Sequence, residues 1–286
     1  MKWRIPGKTF LVGEYAALAG LDAILLTTLP CFEVSKTTDV GLHGIHPESP
    51  AGRWWHAHGD TGFGLLWVDP YQGLGGLGAS SAQFIGAYHA SMTTKPHQQG
   101  LLEAYFELTE TLEGLRPSGY DVLAQSLRGC VYINKTRMQH VYPVWPFQDI
   151  AFILLHTGQK LATHQHLSTM SIPKGVDQLS VLVGDAQKAL DAGDGHLLVT
   201  AVNAYHQKLS EMNLVADHSL HQVDVLKAMP EVLAAKGCGA MGADILLLLV
   251  PMNQLAVVSS RLKSQAWTVI ATSDDLSSPR GEGKDR

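Results

Sequence analysis

The residues best placed to do chemistry in this chain begin with a glycine run that ends in hydroxyls, Gly73-Leu74-Gly75-Gly76-Leu77-Gly78-Ala79-Ser80-Ser81. Glycines let backbone N–H groups approach an anion, and a helix starting at Ser80 and Ser81 adds unpaired donors and the positive end of its dipole, so the run reads as a phosphate cradle. It also matches G-x-G-x-x-G, but it does not sit in a first strand-helix-strand unit, where a dinucleotide fingerprint belongs. Pro6-Gly7-Lys8-Thr9 ends like a Walker A loop, yet no glycine stands where that motif must begin, and Walker A is rejected. His164-x-His166 and His218-x-x-His221 lack a third ligand at zinc spacing. Trp54-Trp55 could stack on a base or plug the core, and Cys238 in a glycine turn reads as a small packing residue.

These residues need a scaffold, and the periodicity supplies one. Strand-like stretches cover residues 9–12, 23–28 and 32–35, while 41–64 carries Gly, His, Pro and Trp without period and reads as a loop or irregular hairpin. A strand at 65–68 leads into the glycine run. Phe84, Ile85, Tyr88 and Met92 then share one face of a helix over 81–92. Leu102, Tyr105, Thr109 and Leu112 mark a second helix, with Gly114 at its end. Glu103, Glu107 and Glu110 form an i, i+4, i+7 stripe that a solvated helix face would also show. Strands are expected at 130–134 and 150–156, and the Pro143 to Pro146 punctuation makes 143–149 the expected domain boundary. Beyond it come a helical stretch over 176–212, a helix over 219–229, a glycine-rich turn, a strand at 245–250, a helix near 253–264 and a strand at 268–272. Residues 274–286 are polar and are expected to be disordered.

Composition narrows the function class. The chain has 286 residues, 45% of them hydrophobic, enough for a large self-sufficient core. Its 21 Lys+Arg against 26 Asp+Glu give a net charge of −5, which argues against nucleic acid or an anionic membrane as partner. Three separated cysteines, Cys31, Cys130 and Cys238, indicate neither a disulfide framework nor a zinc module and fit a cytoplasmic protein. The longest aliphatic run, residues 245–250, is far short of a membrane span, and no signal peptide is read.

Three segments in order resemble one family. Residues 6–16, Pro-Gly-Lys-Thr-Phe-Leu-Val-Gly-Glu-Tyr-Ala, resemble the first motif of the GHMP kinases, a superfamily that includes galactokinase, homoserine kinase, mevalonate kinase and phosphomevalonate kinase. Residues 76–82, Gly-Leu-Gly-Ala-Ser-Ser-Ala, resemble the second, usually Gly-Leu-Gly-Ser-Ser-Ala-Ala. Residues 237–244, Gly-Cys-Gly-Ala-Met-Gly-Ala-Asp, resemble the third. The resemblance spans residues 4 to about 272. It implies an α+β, two-lobed GHMP kinase fold, with an N-terminal ribosomal-S5-domain-2-like lobe over 1–149 and a C-terminal ferredoxin-like lobe over 150–273.

The roles that follow are those the resemblance implies. Gly75, Gly76, Leu77, Gly78, Ala79, Ser80 and Ser81 would hold the ATP phosphates, and Ser80 with Glu110 the Mg²⁺. Pro117-Ser118-Gly119-Tyr120-Asp121 is similar to the segment carrying the catalytic aspartate, so Asp121 is the candidate base, and Lys8 would stabilise charge and hold it ionised. Glu14, Tyr15, Ser118, Gly119, Thr163, Gly239 and Ala240 are the candidate substrate contacts. Tyr15, Thr157-Gly158 and Asp244 look like phosphomevalonate kinase, whereas Glu110 and Pro117-Ser118-Gly119 look like mevalonate kinase. Ala79, Cys130 and Met241 depart from the family pattern. The implied activity is ATP-dependent phosphorylation of a small molecule, phosphomevalonate first and mevalonate second, by a monomer or homodimer. A nucleotide-binding protein without turnover is the alternative from another class, and an oxidoreductase using the glycine run is a third.

Overall fold

The computed structural model describes residues 1–93, 97–109, 117–134, 136, 138–159 and 172–279. Its first sheet is built on a long antiparallel pair, β1 (Lys2–Val12) with β2 (Ala23–Thr37), in a register that sets Lys8 opposite Thr27 and Phe10 opposite Leu25. The register slips between Pro6 and Gly7, so the strand is irregular just where Lys8 leaves it. β2 is one strand across Leu29-Pro30, where the sequence reads as two shorter strands, because β1 pairs with it on both sides of that point. β5 (Cys130–Ile133) lies along its first half and β4 (Gly64–Val68) along its second. β3 (Leu42–His43) and β6 (Gln139–Tyr142) complete the order β3-β4-β2-β5-β6.

Over this sheet lie α1 (Glu14–Leu18), α2 (Pro50–His58), α3 (Ala79–Ser91), α4 (Gln98–Thr109) and α5 (Tyr120–Leu127), with α1, α3 and α5 on the strands and α2 and α4 against α3. α2 corrects the expectation of a loop over 41–64. Ser49 accepts a hydrogen bond from the Gly52 N–H at 3.2 Å and Pro50 opens the first turn, a start signal that the surrounding Gly and His obscured. Trp54 and Trp55 are both buried on it, and the Trp54 Nε1–H donates to Ser91 Oγ, so the pair plugs the core.

The second sheet is antiparallel, in the order β10-β7-β9-β8, with β7 (Ile150–His156), β8 (Ala234–Cys238), β9 (Ile245–Pro251) and β10 (Thr268–Thr272). Numbered from β7 that order is 4-1-3-2, the ferredoxin-like arrangement. Its helices are α6 (Val176–Ala192), α7 (Gly195–Glu211), α8 (Asp217–Lys227) and α9 (Leu255–Ser264). Phe152 and Leu154 of β7 belong with Leu179, Val183 and Tyr205 of α6 and α7. Ile153 and Leu155 belong with Val223, Leu226 and Val258 of α8 and α9. Both faces are covered, and for that reason residues 245–250 are a continuous apolar run rather than an alternating one. The cluster on the α6 and α7 side runs on into Leu11 of β1, Tyr15 of α1 and Leu77 of the glycine loop, so one core spans both lobes.

Three expectations are revised here. The helical stretch over 176–212 is two helices, because Gly193 ends α6 with a left-handed φ of 64° and Asp194 caps α7, accepting from the Leu197 N–H at 3.0 Å. The supposed glycine-rich turn before residue 245 contains the strand β8. The tail is not disordered from 274 onward: the Ser277 N–H donates to Thr27 O at 2.8 Å, and Ser277 is buried.

Candidate active site

Three backbone segments converge on Lys8. Its N–H donates to Leu77 O at 2.9 Å, tying β1 to the glycine loop. Its side chain is buried, and Nζ lies 3.0 Å from Asp121 Oδ2. Asp121 projects from the first turn of α5, whose N-cap is Gly119. The other carboxylate oxygen, Oδ1, is buried without a hydrogen-bond partner among the described residues. A buried acceptor of this kind wants a donor. Beneath Asp121, Ser118 Oγ accepts from the Tyr120 N–H at 3.3 Å, and a Cβ on Gly119 would fall 2.6 Å from Leu102 Cδ1. Ser118 and Gly119 therefore shape the turn that aims Asp121.

Gly75, Gly76 and Gly78 of the glycine loop are packed tightly against neighbouring protein side chains. A Cβ on Gly78, at φ +79°, would lie 2.8 Å from Lys8 Cγ and 3.0 Å from Gln125 Nε2. One on Gly75 would lie 3.0 Å from Asp244 Cγ, and one on Gly76 2.8 Å from Ile245 Cγ1. Gly73, by contrast, faces open space at φ +84°. Leu77 is buried, and Ala79 opens α3 behind Gly78, with no side-chain cap there. The first N–H groups of such a helix have no intrahelical partner and point at whatever lies before it. Ser80 is exposed in this first turn, whereas Ser81 is turned inward, its Oγ donating to Gln125 Oε1 at 2.6 Å.

Glu14 and Tyr15 are braces between the lobes. Lys236 Nζ, on β8, is fully buried and lies 2.7 Å from Glu14 Oε1. Burial pushes the Glu14 carboxyl above the usual range and the lysine offsets only part of that. Tyr15 OH accepts from the Met241 N–H at 2.9 Å, and burial raises its pKa to about 12. The bond holds the third glycine loop, where Met241 takes a left-handed φ of 54° and Gly237 and Gly242 pack backbone to backbone. Gly239 faces open space and Ala240 is half-buried beside it.

Thr157 Oγ1 donates to Ala243 O at 2.6 Å and its N–H to Asp244 O, so β7 and the third loop share one corner. Beside it the Gly158 N–H donates to His156 Nδ1, and burial lowers the His156 pKa against the pull of Asp244. Glu110, Thr163, His164 and His166 lie outside the described residues. Glu103 and Glu107 are exposed, as a solvated face requires. No group of three potential metal-ligating side chains is found among the described residues, and His218 instead bonds Ala243 O. Sequence reading missed Gln125 and Lys236, whose partners are 119 and 222 residues away in the chain.

No family profile and no curated protein sequence matches the chain. Solved structures do. Streptococcus pneumoniae phosphomevalonate kinase, in complex with phosphomevalonate and AMPPNP, superposes with a TM-score of 0.76 at 13% identity, over 95% of this chain and 99% of that one. The chain has the GHMP-kinase fold. An L. major mevalonate kinase in complex with R-mevalonate superposes with a TM-score of 0.71 at 18% identity, over 98% and 96% of the two chains. Lactococcus lactis galactokinase complexed with galactose gives 0.70 at 11% identity, over 95% and 92%. Within the GHMP-kinase fold of this chain, a lysine-carboxylate pair stands beside a glycine loop and an uncapped helix N-terminus. The set offers donors to an anion and places a carboxylate next to it. No described helix is long and apolar enough to cross a membrane.

Proposed function

We propose that the chain is an ATP-dependent small-molecule kinase working at the Lys8–Asp121 pair, with phosphomevalonate as its leading acceptor. The observation that carries the reading is that pair, 3.0 Å apart, with the buried Lys8 stem against Gly78 of the glycine loop. Phosphoryl transfer asks a protein mainly to position two reactants and to balance the charge that develops between them. The N–H groups of residues 75–81 and the start of α3 would bind the ATP phosphates. Ser80, exposed in that first turn, and Glu110 would hold Mg²⁺, which when bound supplies neutralising charge on the phosphates. The Lys8 ammonium, 3.0 Å from Asp121 Oδ2, orients that side chain and offsets negative charge beside it. Asp121 Oδ1 accepts the proton of an acceptor hydroxyl, or orients an acceptor phosphate that is already ionised.

Tyr15, Thr157-Gly158 and Asp244 support phosphomevalonate. One observation favours mevalonate as the second reading: the unpartnered Asp121 Oδ1 suits a hydroxyl that must lose a proton. The test is ADP release with mevalonate, 5-phosphomevalonate, galactose, homoserine and heptose phosphates, each with Mg-ATP. Turnover confined to 5-phosphomevalonate is the expected result, turnover on mevalonate alone supports the second reading, and ATP binding without turnover on any acceptor would contradict both.

A further inference from the structure

Gln125 stands one helical turn after Asp121, on the same face of α5. It is buried, and its amide reaches three segments at once. Nε2 donates to Pro6 O at 2.8 Å and to Gly78 O at 3.2 Å, while Oε1 accepts from Ser81 Oγ at 2.6 Å. Pro6 precedes Lys8 on β1, at the point where the strand register slips. Gly78 caps α3 in the left-handed region, and Ser81 lies in the first turn of that helix. The amide therefore joins the strand that carries Lys8 to the loop and helix that would bind phosphate. The helix that carries both amide and carboxylate serves as the bracket.

The geometry points to Gln125 as a positioning residue that fixes the separation between the phosphate loop and the Lys8–Asp121 pair; this rests on the kinase reading above. Two carbonyls and a hydroxyl converge on one side chain, and a primary amide is the group that offers two donors and an acceptor there. A hydrocarbon of the same size takes away the amide's bond to Pro6 O and leaves Gly78 O and Ser81 Oγ only the bond between them and the one from the Ala82 N–H, so the tie between β1 and the loop is lost. Gln125 touches neither ATP nor acceptor in this account. Its effect is carried by where Lys8 and the α3 N-terminus stand, and misplacement of about 1 Å can cost on the order of 10²-fold in rate.

Gln125→Leu and Gln125→Glu separate this role from plain packing. In the folded Leu variant kcat should fall about 10–100-fold and the Mg-ATP Kd rise several-fold, with the acceptor KM little changed. The Glu variant carries its own signature. Ionised, it faces two carbonyls with no proton to give; protonated, it donates to one of them and still accepts from Ser81, and burial favours this neutral form. The ratio of its kcat to that of wild type should therefore rise as pH falls, while the Leu ratio stays flat. Wild-type kcat and Kd in folded Gln125→Leu would overturn the assignment, as would a pH-independent ratio for Gln125→Glu, which decides the matter alone if the Leu variant does not fold. Wild-type protein that binds no Mg-ATP in a calorimeter would overturn the kinase reading itself. Active wild type with unaltered variants would overturn only the role of Gln125.

Discussion

At the scale of single residues, Gly78 and Gly73 share a left-handed backbone but differ in what surrounds them. A methyl at Gly73 meets nothing within 4 Å, whereas one at Gly78 is driven into the Lys8 stem. Gly73→Ala should thus cost only the backbone penalty, about 1 kcal/mol, and leave turnover near wild type. Gly78→Ala adds a clash with the buried lysine and should cost about 2–4 kcal/mol in urea melts, with a fall in kcat for the fraction that stays folded. Equal losses from the two would mean that Lys8 yields freely. Glycine in the loop was legible as close backbone approach. The agent approached was not, because a sequence cannot say whether the neighbour is a ligand or, as here, Lys8, Gln125 and Asp244.

At the scale of elements, Glu14 of α1 and Lys236 of β8 are a buried pair that ties the first lobe to the second. Removing one partner leaves a buried charge unpaired, so Lys236→Met should cost about 3–5 kcal/mol of stability in denaturant titration. The double variant Glu14→Gln, Lys236→Met should recover most of that loss; additive losses would show that the two charges do not depend on each other. β8 itself escaped sequence reading. Its residues, Ala-Ala-Lys-Gly-Cys, lack the β-branched signature of a strand, and they form one because β9 pairs along their whole length. The strands with strong apolar periodicity, β7, β9 and β10, were legible to within a residue. α2 was not, since its Ser49-Pro50 start lies in a segment without helical period.

At the scale of the whole molecule, the core that runs through both lobes also carries groups that constrain stability. His206 of α7 sits in it, with Nδ1 buried and without a hydrogen-bond partner among the described residues, and burial lowers its pKa to about 4. The unfolded chain takes up this proton below its ordinary value near 6.5, and the folded one only near 4. Stability from the neutral ring is therefore full above about pH 6.5 and is lost as pH falls through that window, by about 1–3 kcal/mol in all. His206→Leu should flatten the fall in Tm between pH 6.5 and 4, and an unchanged slope would remove His206 as its source. The two-lobed fold itself was legible through the three spaced motifs. What joins the lobes was not, because Glu14 meets Lys236 and Tyr15 meets Met241 across more than 200 residues.

On the proposed reading Asp121, held by Lys8, carries phosphoryl transfer while the glycine loop holds the nucleotide. Asp121→Asn keeps the shape and removes the charge, so kcat and the Mg-ATP Kd measured on one folded sample, with the acceptor that wild type turns over, test it most directly. A loss of about 10²–10⁴-fold in kcat with the Kd nearly unchanged is expected, because the carboxylate serves the acceptor and not the nucleotide. A folded Asp121→Asn protein that turns over at close to the wild-type rate would contradict it.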